Sequence, residues 1–254
     1  MRMKVEGLKS ALIKEKDDIV EVIEKALESH QKTLQEKDVL VITSKVLAVC
    51  QGRIDNIDGN CSYKEGAFKN LIQKEAGELF ETDFGYLTLN EGHLIPNAGI
   101  DRSNVPKGKV VLWPENSPEE AKRIQEILCK KYNLNNLGVI ISDSTCSPLR
   151  PGVHSISIGN FGFEGVEDCR KHRDLYNNEM KVTMKAVADN LATAASVVMG
   201  ETNESTPFVI ISDAPAKFTN KAQEEHTIEV DKDLFFGIYN DKFKKFASNK
   251  HYKE

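Results

Sequence analysis

The sequence predicts a mixed α+β fold, with several sheets and packed helices. Two observations carry this. Short apolar runs of strand length, such as 39–42, 137–141 and 208–211, alternate with helix-like segments. Their spacing is less regular than a doubly wound parallel sheet would give. A third observation concerns chemistry: neither G-x-x-x-x-G-K-[ST] nor a G-x-G-x-x-G after a strand occurs, so no P-loop or Rossmann site is expected.

In chain order, residues 17–30 read as an amphipathic helix, because Ile19, Val20, Val22, Ile23, Ala26 and Leu27 share one stripe. Val39-Leu40-Val41-Ile42 suits a buried strand, and Ser44 directly after it is expected to cap the next helix. Residues 63–83 read as helix and Tyr86–Leu89 as strand, before a loop over Ile95–Asp101 and a strand over Val110–Trp113. Ser117-Pro118-Glu119-Glu120 supplies an N-cap, a first-turn proline and a glutamate three residues on, so a helix is expected from there to Tyr132. Leu137–Ile141 is the clearest buried strand, followed by a polar turn over Ser142–Thr145. Residues 153–158 alternate as a half-buried strand does, 180–199 read as a central helix, and 208–211 as the last strand. No repeat, low-complexity tract or linker is present.

The chain has 254 residues, enough for one large domain or two small lobes, and its 40% hydrophobic content can fill a core. A formal net charge of -5, with acids and bases spread throughout, argues against a duplex nucleic-acid surface. No run approaches the length of a membrane span, and the first residues lack a signal-like apolar stretch. Five cysteines without a C-x-x-C pair suit reduced thiols, so a cytoplasmic protein is expected.

Three acids stand beside ordered elements: Asp101 after a glycine-containing loop, Asp143 after a strand, and Glu201 after Met199-Gly200. Mg²⁺ or Mn²⁺ bound with phosphates takes carboxylates of this kind from separate segments. Each taken singly reads as a helix cap or turn former. Lys45, Arg53, Arg150 and the run Arg170-Lys171-His172-Arg173 are the basic candidates, with Arg170 and Lys171 read as solvated charge. Lys45 lies at a helix N-terminus, where phosphates are favoured. His154 reads as a hydrogen-bonded structural residue, and Asp189, inside an apolar helix, as a turn anchor or a site residue.

At these segments the chain resembles the CofE-type γ-glutamyl ligase family, which adds glutamate to the deazaflavin coenzyme F-420 precursor. The matching pieces are Val5-Glu6-Gly7-Leu8, Ser44, Gly52-Arg53, Asn97-Ala98-Gly99-Ile100-Asp101, Ser103-Asn104-Val105, Asp143-Ser144, Ile158-Gly159, Asp174-Leu175-Tyr176, Val182-Thr183, Ala188-Asp189 and Met199-Gly200-Glu201. They fall in family order. The resemblance implies a ligase domain over 5–212, with two interleaved lobes allowed, and 213–254 as an extension of the same unit. It implies an α+β homodimer that uses ATP or GTP with Mg²⁺ or Mn²⁺ to join L-glutamate to an acid acceptor through an acyl phosphate. Asp101 and Asp143 would hold one metal, Ser144 and Glu201 a second. Ser44, Asn104 and the stretch from Met199 to Thr206, including Gly200, Thr202 and Asn203, would contact nucleotide. Asp101, Asp143 and Arg150 are the candidate catalytic residues, and Arg150 and Arg173 are available for acceptor carboxylates.

Several positions depart from the deazaflavin pattern. Val49 replaces a nucleotide-contacting lysine, Cys146-Ser147 and Asn177-Asn178 replace Gly-Arg pairs, and Thr202-Asn203-Glu204-Ser205 replaces a glycine-rich run. The pieces Thr43-Ser44-Lys45-Val46, Cys50-Gln51-Gly52-Arg53 and Ser147-Pro148-Leu149-Arg150 look closer to bacterial homologues proposed to act in folate metabolism, so a folate-type acceptor is expected. A regulatory nucleotide-binding protein on the same scaffold and a metal-dependent phosphohydrolase are the competing readings.

Overall fold

The computed structural model describes residues 2–57, 66–76, 79–221, 227–229 and 232–235. It has the expected α+β character and divides into two compact units. One comprises 1–56 and 101–223, the other 57–100 and 224–254. Much of the expected extension over 213–254, and Cys61, lie outside the described residues.

The larger unit is built on a five-stranded mixed sheet. Its strands are β1 (Lys4–Leu8), β2 (Val39–Thr43), β8 (Gly138–Thr145), β9 (His154–Phe161) and β12 (Phe208–Ser212), in the order β1-β12-β2-β8-β9. Only the β2–β8 pairing is parallel; the other three are antiparallel. Val39–Ile42, Val139–Ile141 and Phe208–Ile211 are all buried. This is what continuous apolar runs achieve when both faces of a sheet are covered.

One face carries helix α5 (Val187–Met199), whose Val187, Ala188, Leu191, Ala192, Ala195 and Met199 form a core with Val39, Val41, Ile140, Val209 and Ile211. The small alanines allow this close approach. On the other side, α4 (Ser117–Tyr132) packs against β8 and β9. Gly159 makes that contact possible, since a Cβ there would lie 2.5 Å from the Ser117 carbonyl carbon. Helix α1 (Ile19–Ser29) is capped by Asp18, whose carboxylate accepts the Val20 and Glu21 N–H groups. Helix α2 (Ser44–Cys50) follows β2 without a break. Two small pairings complete this unit, β3 (Ile54–Asn56) with β7 (Lys109–Val111) and β10 (Val166–Asp168) with β11 (Met184–Ala186).

The second unit holds helix α3 (Gly66–Ala76) and the antiparallel meander β4 (Leu79–Thr82), β5 (Gly85–Asn90) and β6 (His93–Pro96). A single helical turn, Asn97–Gly99, closes it, with Ala98 in a left-handed conformation.

Five sequence expectations change. Of the helix expected over 63–83, Gly66–Ala76 is helical and Leu79–Thr82 pairs with β5 as a strand, while 63–65 and 77–78 lie outside the described residues. The segment expected as loop over 95–101 carries the end of β6 and a helical turn. The polar turn expected over 142–145 continues β8, with an irregularity between Ile141 and Ser142 that lets polar residues stay in register with β9. The helix expected from 180 begins at Val187, because Met184–Ala186 pairs with β10. Neither expected serine cap holds: Thr43 and Asn116 occupy the N-cap positions, and Ser44 and Ser117 are the first helical residues. No described helix is long and apolar enough to cross a membrane. Among the described cysteines, Cys50, Cys129, Cys146 and Cys169 are free.

Candidate functional site

The parallel register of β2 and β8 pairs Thr43 with Ser142, so the next residues of each strand emerge side by side. There Ser44 Oγ donates to Asp143 Oδ1 at 2.5 Å. Burial pushes the Asp143 carboxyl up to about 6, and the nearby Asp101 charge adds to this; the Ser44 hydroxyl, the Ser144 N–H and Lys45 oppose it. A half-buried, desolvated carboxyl with a second acid nearby is a place where added positive charge is favoured.

Asp101 is held by reciprocal backbone hydrogen bonds with Val111, both 2.9 Å. Its side chain closes an Asx turn, in which Oδ1 accepts the Ser103 N–H at 2.6 Å and Oδ2 accepts the Ser103 hydroxyl at 3.0 Å. Lys45, in the first turn of α2, sets its Nζ 2.5 Å from Asp101 Oδ2 and also donates to Ser103 Oγ at 2.7 Å. Burial works to raise the Asp101 carboxyl, but the Lys45 charge and the Ser103 donors outweigh it, so it sits below the ordinary aspartate value.

A second polar pair lies at the end of β8, where Ser144 Oγ donates to Glu201 Oε2 at 3.1 Å. Glu201 follows the end of α5 at Gly200, whose φ of +77 suits glycine. The turn is then locked by Glu204, which accepts from Thr202 N at 2.8 Å and Thr202 Oγ1 at 3.0 Å. Asn104 Nδ2 reaches the Thr202 carbonyl at 2.6 Å, joining the loop after Asp101 to the turn after α5. Asn203 is exposed beside Thr202, and the Met199 side chain is buried in the core, where it anchors the turn.

The remaining candidates stand apart from this group. Arg150 is exposed after the Pro148-Leu149 turn. Arg53 donates to the Trp113 carbonyl at 3.0 Å and pairs with Glu115 at 3.2 Å, a structural clamp. Arg173 donates to the Asn177 carbonyl at 2.7 Å, while Arg170 pairs in two-pronged fashion with Asp168 on the surface. His154 shares a 2.8 Å hydrogen bond with Ser147, as a structural histidine would. Asp189 accepts the Ser157 N–H at 2.9 Å, so its carboxylate pins α5 to β9 rather than anchoring a turn.

The sequence profile of the F420-0:gamma-glutamyl ligase family matches residues 7–213. Among curated relatives, the coenzyme F420:L-glutamate ligase of Methanopyrus kandleri is 33% identical over 207 residues, covering 76% of this chain and 80% of its own. That of Methanococcus maripaludis strain C7 is 32% identical and covers 92% of this chain and 98% of its own. That of Archaeoglobus fulgidus is 34% identical, with 82% and 85% covered.

The chain belongs to the F420-0:gamma-glutamyl ligase family.

It is therefore a ligase-family enzyme, and the regulatory and phosphohydrolase readings lose their footing. The matched span holds Ser44, Asp101, Asp143 and Glu201, together with every contact described above. The relatives bear the coenzyme F420 name, and the expected leaning toward folate-type homologues gains no support from them. Two residues of this candidate site have contacts that sequence reasoning does not supply, although Glu204 lies within the stretch from Met199 to Thr206 expected at the nucleotide. Ser103 is signalled by Asp-x-Ser, the spacing at which an aspartate accepts the N–H two residues on. Glu204 has no such signal, since its role depends on the turn at Gly200.

Among the described residues, no three His, Cys, Asp or Glu side chains gather where they could hold a metal ion. The oxygen donors instead fall into two pairs, Asp101 with Asp143 and Ser144 with Glu201. Hard oxygen donors of this number suit Mg²⁺ or Mn²⁺, which takes one or two carboxylates and completes its shell with water and substrate phosphates.

Proposed function

We propose that this chain is a nucleoside triphosphate-dependent and metal-dependent ligase that joins L-glutamate to a deazaflavin acid of the F420-0 type, working as a cytoplasmic homodimer. The observation that carries the reading is the family match across residues 7–213, which spans the carboxylate pair Asp101 and Asp143. The buried Asp143 beside Asp101 supports a cation there, because two acids in a partly dehydrated site need positive charge to stay ionised.

Amide formation from a free carboxylate needs activation. The acceptor carboxylate attacks the γ-phosphorus of ATP or GTP, forming an acyl phosphate and releasing the nucleoside diphosphate. The amine of glutamate then adds to the acyl carbon, the new C–N bond replaces the C–O bond to phosphate, and inorganic phosphate and a proton leave. Bound Mg²⁺ or Mn²⁺ would supply charge neutralisation on the phosphoryl group. Asp101, Asp143, Ser144 and Glu201 would hold it. Ser44 orients Asp143, and the Asn104–Thr202 contact fixes the two loops that would receive the nucleotide. Arg150, exposed near the end of β8, is available to a carboxylate of the acceptor.

A folate-type acid remains a second acceptor reading on one observation: Val49, Cys146-Ser147 and Asn177-Asn178 remove basic or glycine positions of the deazaflavin pattern. The comparisons favour the deazaflavin acid. Purified protein with L-glutamate, Mn²⁺, ATP or GTP, and either F420-0 or dihydropteroate should give a product heavier by one glutamyl unit with F420-0. Phosphate release without any glutamylated product would sink the ligase reading.

A further inference from the structure

Lys45 has more partners than a surface lysine needs. Its ammonium sits against Asp101 Oδ2 at 2.5 Å, Ser103 Oγ at 2.7 Å and the Ser103 carbonyl at 3.3 Å, with the side chain only 27% exposed. Asp101 is correspondingly engaged, since Oδ1 takes the Ser103 N–H while Oδ2 takes both the Ser103 hydroxyl and Lys45, which fills the lone pairs of Oδ2. Oδ2 so occupied offers no lone pair to a cation while Lys45 stays in place. A divalent cation and the Lys45 ammonium therefore compete for the same oxygen.

We infer that Lys45 is a displaceable counter-ion: it occupies Asp101 when no divalent cation is bound, and cation binding ejects it. The inference rests on the metal reading proposed above. The displacement is an exchange of ionic partners with no covalent change. Asp101 Oδ2 gives up one cation for another of higher charge, and the ammonium keeps its proton. The freed side chain sits in the first turn of α2, where its charge becomes available to phosphate oxygens. Lys45 thereby links an occupied metal site to an available phosphate contact, and an empty metal site to a self-neutralised one. A lysine that served only to hold Asp101 in place for the metal would act in the opposite direction.

The two roles separate by sign in a binding measurement with Mn²⁺ alone, followed by titration calorimetry or loss of the free Mn²⁺ electron paramagnetic resonance signal. Wild type, Lys45→Met, Lys45→Gln, Asp101→Asn and Lys25→Met would be compared; Lys25 is an exposed lysine paired with Glu21, which controls for the general loss of one positive charge. Removing a competing charged contact should tighten Mn²⁺ binding by about tenfold in both Lys45 variants. Lys25→Met should stay near wild type. Unchanged or weakened Mn²⁺ binding in both Lys45 variants, with wild type binding and Asp101→Asn failing to bind, would overturn the inference and leave the metal reading standing. No Mn²⁺ binding by any variant would overturn both. The two Lys45 substitutions are independent, so one that folds poorly, seen by circular dichroism, does not remove the test.

Discussion

Ser44 Oγ and Asp143 Oδ1 meet at 2.5 Å although 99 positions separate them in the chain. The contact follows from the parallel pairing of β2 with β8, and it gives the buried carboxyl its side-chain hydrogen-bond donor from that neighbour. Ser44→Ala should lower stability at pH 7 by about 1.5–3 kcal/mol, the range for a hydrogen bond to a charged group, measured by urea unfolding. A loss near zero would mean that water replaces the hydroxyl.

Asp143→Asn should have the opposite effect in EDTA. The folded carboxyl titrates near 6 against an ordinary 3.8, so the folded state binds the proton more tightly than the unfolded one. Stability from this group is full below pH 4 and declines as the pH rises through 6. At pH 7 to 8 the variant lacks that cost and should melt higher, by at most about 3 kcal/mol in stability. It should also lose any gain in melting temperature that Mn²⁺ gives wild type. A variant that melts lower in EDTA at pH 8 would contradict the burial argument.

Which parts of this were legible beforehand follows from how far each signal reaches. Val39–Ile42, Leu137–Ile141 and Phe208–Ile211 announce buried strands because their own side chains say so. Ser44 reads as a cap because caps and first-turn hydroxyls use the same residue types, and only the strand register shows that its hydroxyl meets Asp143. Asp143 looked like a turn residue since polar residues at a strand end resemble a turn when the partner strand is unknown. Met184–Ala186 reads as the start of a helix because three residues carry too little periodicity to stand alone. The Asn104–Thr202 contact joins segments 98 positions apart, and no local pattern contains it.

Gly159→Ala should separate α4 from β9. Its Cβ would lie 2.5 Å from the Ser117 carbonyl carbon and 2.6 Å from Pro118 N, both backbone atoms that cannot rotate away. Overpacking of this kind costs about 1–3 kcal/mol, so the melting temperature should fall while the circular dichroism spectrum stays α+β. An unchanged melting temperature would show that α4 shifts freely.

Gly200→Ala combines a φ of +77 with a Cβ placed 2.2 Å from the Glu204 carboxyl carbon. The Glu204 side chain should be driven from Thr202, loosening the turn that Asn104 holds. Nucleotide affinity should fall by roughly tenfold, the equivalent of one charge-assisted contact. Equal affinity in variant and wild type would remove this turn from the proposed nucleotide site.

The cysteines should react unequally. Burial, with the charges of Asp17 and Asp18, pushes the Cys50 thiol up to about 12, whereas Cys146 is exposed. At pH 8 roughly one Cys50 in ten thousand is thiolate, the form that reacts. Peptide mass spectrometry after brief iodoacetamide treatment should find Cys146 alkylated and Cys50 intact, and Cys50 labelling at the Cys146 rate would refute the assignment.

The strand order β1-β12-β2 places residues 208–212 between 4–8 and 39–43. During synthesis, the first two strands therefore wait with unpaired edges until nearly the whole domain has emerged. At about 5–20 residues per second that interval is roughly ten seconds or more. The sheet cannot zip up from its N-terminal end, and a chain cut before residue 208 would expose the flanks of β1 and β2 to other chains. Folding here is gated by the ribosome's progress, and the vulnerable period for aggregation belongs to the nascent chain.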